Sequence, residues 1–154
     1  MKALTHSLFA FVFCVVLYSA ALPAVTNKPL ILLSGGVAFV LGSLPDLDMK
    51  WPLRVIGHRS GLSHSIFTIA MAWLLAYLIF SGVPSLELIV VPATVWAVTS
   101  HILLDTLTHS GCPLLWPFTR HRFSAHLCRY DNAFVNAAIG VLSVLGVAAY
   151  IAFW

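Results

Sequence analysis

Five long apolar runs dominate the sequence and leave only short polar stretches between them. They cover residues 4–22, 29–44, 63–80, 87–107 and 133–154. An α-helix needs about 20 apolar residues to cross a bilayer. Hydrophobic residues make up 60% of the chain and charged residues only 8%, whereas about 25% of an ordinary soluble domain is charged. The pattern excludes a soluble domain and a disordered chain, and it predicts an all-α polytopic membrane helix bundle with about five transmembrane helices.

Five spans of this length use about 100 residues, so we expect one integral membrane domain, residues 1–154. The first run follows Lys2 and has some features of a signal peptide. Its apolar stretch is at the upper limit of about 7–15 residues for a signal sequence. We therefore interpret it as a retained membrane anchor.

The basic residues are distributed unevenly between the two sides of the predicted bundle. One side carries only Lys28, and the other carries seven of the eight: Lys2, Lys50, Arg54, Arg59, Arg120, Arg122 and Arg129. By the positive-inside rule, the N-terminus is expected in the cytoplasm and the C-terminus outside. The three cysteines are then not expected to form disulfides.

Histidine and aspartate residues collect at the same predicted side. His6 opens the first span, Asp46 and Asp48 follow the second, and His64 opens the third, with His58 in the loop before it. His101 and Asp105 are four residues apart in the last turns of the fourth span, so they share one helix face. Ionisable groups at membrane helix ends are functional by default. Their convergence is the strongest functional signal in the sequence.

Each of these histidine and aspartate residues, taken alone, has a simpler interpretation. Asp46 and Asp48 follow Pro45, and in an extended stretch they would point the same way in a solvated turn. His64 follows Ser63, a plausible N-cap, and a histidine at a headgroup interface is unremarkable. The joint placement favours a metal site, because imidazole and carboxylate with little thiolate suit zinc, manganese or iron.

The same segments resemble a known group of proteins, the LexA-regulated inner-membrane metal-dependent hydrolases of prokaryotes. The matching segments are residues 5–7, 44–48, 57–65, 100–108 and 111–117. This family is distantly similar to zinc-dependent phospholipases C, whose metal ligands include a His-x-x-x-Asp element, which His101 and Asp105 match. The resemblance implies a multi-pass protein of the prokaryotic inner membrane with metal-dependent hydrolase activity.

The sequence therefore predicts a metal-dependent hydrolase at the cytoplasmic interface, holding one or two divalent transition-metal ions, zinc foremost. The predicted ligands are His6, Asp46, Asp48, His58, His64, His101 and Asp105. Asp46 or Asp48 could instead be the general base. Arg59, whose planar guanidinium matches phosphate, would hold a phosphoester of a membrane lipid or polyprenyl phosphate.

The alternative is a membrane protein that binds or transports divalent metal without hydrolysis. A transporter should place ligands near the midplane and polar residues on both sides, and the outer side here has only Lys28 and Glu87. A haem-binding electron carrier would use paired histidines without three nearby aspartates. Membrane lipid is the expected partner, and nucleic acid is not.

Overall fold

The computed structural model describes residues 1–21, 27–49 and 59–153, with backbone alone for residues 47–49. It contains five α-helices: α1 (Ala3–Ala21), α2 (Lys28–Leu41), α3 (Ile66–Phe80), α4 (Pro84–Thr106) and α5 (Ala133–Phe153). A short 3-10 helix, Leu44–Met49, follows α2. The predicted all-α helix bundle is confirmed.

Within the described residues, four segments are apolar and long enough to cross a membrane: Ala3–Ala21, Lys28–Asp46, Pro84–Thr106 and Ala133–Phe153. Helix α3 is also apolar but shorter, with 15 residues. At 1.5 Å per residue it spans about 22 Å, less than the hydrocarbon thickness of about 30 Å. Turns and bends at residues 61–65 precede α3, so the ordered segment is longer than the helix itself.

Helices α1 and α4 form the centre of the bundle. Helix α1 packs against α2, α4 and α5, and α4 packs against α1, α2 and α3. Small residues line the shared interface of α1, α2 and α4, namely Ala10, Cys14, Ala38, Ala93 and Ala97. Small side chains allow close helix approach, which stabilises membrane bundles in place of the hydrophobic effect.

Local signals define several helix ends. The side chain of Asn27 accepts a hydrogen bond from the Leu30 amide at the start of α2. Helix α3 begins with a capping box between Ser65 and Thr68. The predicted N-cap at Ser63 is therefore wrong by two residues, because Thr68 supplies the reciprocal hydrogen bond that selects Ser65.

The expected extended conformation at residues 46–48 is also wrong. This segment is a 3-10 helix. The helix begins at Leu44 despite the bias of Pro45 against helical geometry in the residue before it, and Pro45 itself is compatible with a first helical turn. With three residues per turn, residues two apart point in different directions.

The segment between α4 and α5 folds without a helix. Cys112 and Phe123 exchange two backbone hydrogen bonds of 3.0 and 2.9 Å, and the His109 amide donates to the Cys128 carbonyl at 3.1 Å. Gly111 adopts a left-handed φ of 57° between these contacts. All three cysteines are free and buried.

Candidate metal centre

Five titratable side chains from four separate elements meet at one end of the bundle. They are His6 in the first turn of α1, Asp46 in the 3-10 helix, His64 before α3, and His101 and Asp105 near the end of α4. The side chains of the three histidines and Asp105 are completely buried, whereas Asp46 retains 20% exposure. The convergence inferred from helix order is therefore present in the structure.

Four atoms in this group face one another. One ligand atom each from Asp46, His64, His101 and Asp105 lies within 4.8 Å of all the others. His64 Nε2 is 3.8 Å from Asp46 Oδ1 and 3.5 Å from Asp105 Oδ2. His101 Nε2 is 3.5 Å from Asp46 Oδ1 and 3.7 Å from Asp105 Oδ2.

These separations suit a tetrahedral metal ion. Zinc binds imidazole nitrogen and carboxylate oxygen at about 2.0–2.2 Å, which puts neighbouring ligands of a regular tetrahedron about 3.3–3.6 Å apart. The four observed distances, 3.5 to 3.8 Å, are close to that range. The two remaining pairs, His64 with His101 and Asp46 with Asp105, lie within 4.8 Å, so the four residues could close around a metal ion.

The second nitrogen of His101 fixes the tautomer of its ring. His101 Nδ1 lies 2.7 Å from the carbonyl oxygen of Gly42. A carbonyl only accepts hydrogen bonds, so Nδ1 carries the proton and Nε2 presents a lone pair to the cluster. Metal-binding histidines commonly use a backbone carbonyl in this way, because it orients the ring and increases its basicity.

His64 has a comparable environment. Ser63 Oγ lies 2.8 Å from its Nδ1 and can accept a hydrogen bond from it. That tautomer directs the Nε2 lone pair toward Asp46 and Asp105. Both imidazoles can therefore present neutral nitrogen ligands to the same point.

Asp105 divides its two oxygens between different partners. Oδ1 lies 3.0 Å from Arg59 Nη2, which donates to it, and 3.0 Å from the backbone nitrogen of Met1. Oδ2 faces the two imidazoles and has no hydrogen-bond partner among the described residues. A buried carboxylate oxygen without a donor is costly, and a cation at this point would satisfy it.

His6 lies beside the four-atom group. Its ring stacks on that of His101, with centroids 3.8 Å apart and planes inclined by 15°. Its Nε2 is 3.4 Å from Asp105 Oδ1, the oxygen that Arg59 also binds. Neither ring nitrogen of His6 has a hydrogen-bond partner within the described part of the chain.

Arg59 is buried against the cluster, with 5% exposure. Nη1 donates to Thr108 Oγ1 and Nη2 to Asp105 Oδ1, both at 3.0 Å. Arg122 Nη2 donates in turn to the backbone carbonyl of Arg59 at 3.1 Å. The structure thus gives Arg59 a positioning contact with Asp105, and its predicted binding of a substrate phosphate stays a prediction.

Two predicted ligands remain without a described side chain. His58 lies outside the described residues, and only the backbone of Asp48 is described. His109, which also follows α4, hydrogen-bonds through Nδ1 to the Cys128 carbonyl at 2.6 Å and is not one of the four grouped residues. Burial raises the pKa of the neighbouring Cys112 thiol to about 12, which makes it a poor ligand or nucleophile.

Three supporting residues were missed by sequence reasoning. Gly42 supplies the carbonyl for His101, and Thr108 Oγ1 accepts from Arg59. Buried Asn136 accepts hydrogen bonds from Thr5 Oγ1 and the Lys2 amide, and so joins α5 to the start of α1. An asparagine near the start of an apolar span was the one visible signal, since polar residues in membrane helices usually have partners.

The bundle of membrane-length apolar helices defines a multi-pass membrane protein, and its buried Asp-His-His-Asp group could hold a metal ion. Over residues 1–154 the sequence matches the family described as YdjM inner membrane protein, and the chain belongs to that family. It is therefore a multi-pass inner-membrane protein. No curated protein and no solved structure matches the chain.

Proposed function

We propose that this protein is a metal-dependent hydrolase that cleaves a phosphoester of a membrane lipid or polyprenyl phosphate. The observation that carries the proposal is the group of four facing ligand atoms, of which two, His101 Nε2 and Asp105 Oδ2, are buried without hydrogen-bond partners among the described residues. The resemblance to inner-membrane metal-dependent hydrolases supports the same activity.

The burial of the four residues suggests different roles for them. His64, His101 and Asp105 are fully buried and would form a three-ligand set, the number usual in catalytic zinc sites. Asp46 lies on the exposed side of the group, with 20% of its side chain accessible. A zinc ion bound there would act as a Lewis acid that polarises a phosphoryl oxygen.

The proposal needs only one ion. A second ion between His6 and Asp105 Oδ1 would lie next to the guanidinium of Arg59, which is 3.0 Å from that oxygen. The positive charge of Arg59 disfavours another cation there. Arg59 instead orients Asp105 and adds positive charge beside the place where an anionic substrate would bind.

Asp46 is the proposed general base. Its carboxylate would accept a proton from the attacking water as the new phosphorus–oxygen bond forms and the bond to the leaving alcohol breaks. The proton can then pass to the leaving alkoxide. Asp46 suits this role because solvent reaches it, while the other three grouped residues are sealed from solvent.

The location of the group favours an amphiphilic substrate. Exposed apolar residues flank the site residues in the chain: Leu44 is 41%, Leu62 50% and Ile66 55% exposed. A lipid could place its phosphate near Asp46 while its tail stays in the bilayer. In the proposed topology, with a cytoplasmic N-terminus, this site serves the inner leaflet.

The second candidate is a metal-binding or metal-transporting protein without hydrolase activity. Four protein ligands complete a tetrahedral shell, which is typical of structural zinc sites. In that case Asp46 is a ligand rather than a base. The two functions therefore differ in what Asp46 does.

The test compares Asp46→Asn with His101→Ala, and uses exposed Asp131→Asn as the matched loss of one carboxylate. For a hydrolase, Asp46→Asn should keep most of the metal but lower phosphate release from mixed lipids by about 10²–10⁴-fold. His101→Ala should lose metal and activity together, and Asp131→Asn should match the wild type. Loss of metal in Asp46→Asn, with no release by the wild-type protein, would favour the second candidate.

A further inference from the structure

A cleft lies toward the opposite end of the bundle from the His/Asp cluster. It has a volume of about 360 Å³ and lies between α1, α3 and α4, within the range of about 300–1,000 Å³ typical of small-molecule sites. Its lining includes Tyr18, Trp73, Glu87, Val91 and Trp96.

The floor of this cleft is held by a specific contact between α1 and α4. Pro92 lies inside α4 and has no amide hydrogen, so the carbonyl of Leu88 lacks its helical donor. The hydroxyl of buried Tyr18 donates to that carbonyl at 2.7 Å. The contact satisfies both polar groups and keeps the cleft surface near Leu88 in place.

The cleft has one polar end. Glu87 is in the first turn of α4, and Trp96 is nine residues further on, about 14 Å along the helix. Among the described residues at this end of the bundle, Lys28 and Glu87 are the charged ones, and the Glu87 carboxylate has no hydrogen bond or ion pair within the described chain. A carboxylate at the rim and apolar walls below it suit an amphiphile with a cationic head.

The two tryptophans strengthen this match. Trp73 is 48% exposed and stacks on Tyr77, with centroids 6.1 Å apart, and Trp96 makes an edge contact with Phe13 at 6.1 Å. These contacts hold large aromatic surfaces at the cleft. The large apolar faces of the two indole rings suit contact with an acyl chain.

We propose that this cleft binds a membrane lipid with an ammonium headgroup, with the ammonium near Glu87 and one acyl chain between Trp73 and Trp96. The proposal is independent of the hydrolase function, because it uses none of the residues of the His/Asp cluster. It gives the protein a second lipid site at the other end of the bundle.

Tryptophan quenching by brominated lipids tests this site. The full-length protein is placed in vesicles of equal parts phosphatidylethanolamine and phosphatidylglycerol, and bromine is carried on the acyl chains of one lipid at a time. The bilayer composition is then the same in both experiments. If lipids contact the tryptophans at random, the two brominated lipids should quench the tryptophan fluorescence equally. We expect phosphatidylethanolamine to occupy the cleft about threefold more than phosphatidylglycerol, the scale of one exposed charge contact.

Glu87→Gln should bring the preference close to one, whereas Asp131→Asn, which removes an exposed carboxylate elsewhere, should leave it unchanged. Val91→Phe fills the cleft wall and should abolish the preference while Glu87 is intact. Equal quenching in the wild-type protein, stronger quenching by phosphatidylglycerol, or a preference that survives both variants would overturn the proposal.

Discussion

Asp105 uses its two carboxylate oxygens for different contacts. One oxygen is bound by Arg59 and the other faces His64 and His101. Two carboxylates near one point repel each other unless cations compensate them. Arg59 and the amino group of Met1, each 3.0 Å from Oδ1, supply positive charge on one side of Asp105, and a divalent ion would supply it on the side of Oδ2.

Replacing Arg59 should weaken metal binding as well as catalysis. Arg59→Ala removes the donor to a buried carboxylate, and a hydrogen bond to a charged group is worth about 1.5–3 kcal/mol. We expect a similar loss in the free energy of unfolding and a lower metal content, measured on purified protein. Arg120→Ala, which removes an exposed arginine, is the control. If Arg59→Ala keeps its metal and its stability but raises KM, Arg59 binds the substrate phosphate instead.

Much of the site was predictable at the residue scale because polar residues are rare in this chain. Once successive helices alternate in direction, His6, Asp46, His64, His101 and Asp105 must lie at one end. The hydrogen bond between Arg59 and Asp105 was not predictable, since Arg59 lies in a loop where no periodicity places its side chain. The carbonyl of Gly42 was also invisible, because a backbone acceptor leaves no sequence signal.

At the scale of elements, the close approach of α2 to α1 positions part of the site. A Cβ atom at Gly42 would lie 2.9 Å from Ser7 Cα and 3.0 Å from the His6 carbonyl oxygen. Both are backbone atoms, so they can yield only if α1 shifts. Gly42 also connects α2 to the 3-10 helix that carries Asp46.

Gly42→Ala should therefore disturb the site from the backbone. We expect a loss of about 1–3 kcal/mol in the free energy of unfolding, the usual cost of overpacking, together with lower metal content. Gly36→Ala inside α2 is a matched control, because a Cβ there meets nothing within 4 Å. Equal unfolding temperatures and metal contents for the two variants would contradict this account of Gly42.

The helices themselves were predictable from hydropathy, but their ends were less so. Apolar runs set α1, α2, α4 and α5 to within a few residues. Two serines, Ser63 and Ser65, could each have been the N-cap of α3. The capping box with Thr68 makes Ser65 the N-cap. At Pro45 the sequence favoured an extended stretch or a turn, whereas the structure has a 3-10 helix.

At the scale of the whole molecule, the basic residues make the orientation testable. By their order among the predicted spans, seven of the eight are expected on the side of the His/Asp cluster, so we expect the loop between α4 and α5 in the cytoplasm and the residues after α5 outside. Alkaline phosphatase fused at residue 82 or after residue 154 should be active, and a fusion at residue 120 inactive. An inactive fusion after residue 154 would contradict this orientation.

The central claim is that the buried Asp-His-His-Asp group binds a divalent metal ion. Its most direct test is metal analysis by mass spectrometry of protein purified in mild detergent without chelator. We expect about one zinc ion per chain, and an unfolding free energy that rises by about 2.7 kcal/mol at a zinc concentration 100-fold above Kd. The variant His64→Ala/His101→Ala should lose both the ion and the zinc-dependent stabilisation. Wild-type protein that carries no metal, and whose unfolding temperature is the same with zinc and with chelator, would contradict the account.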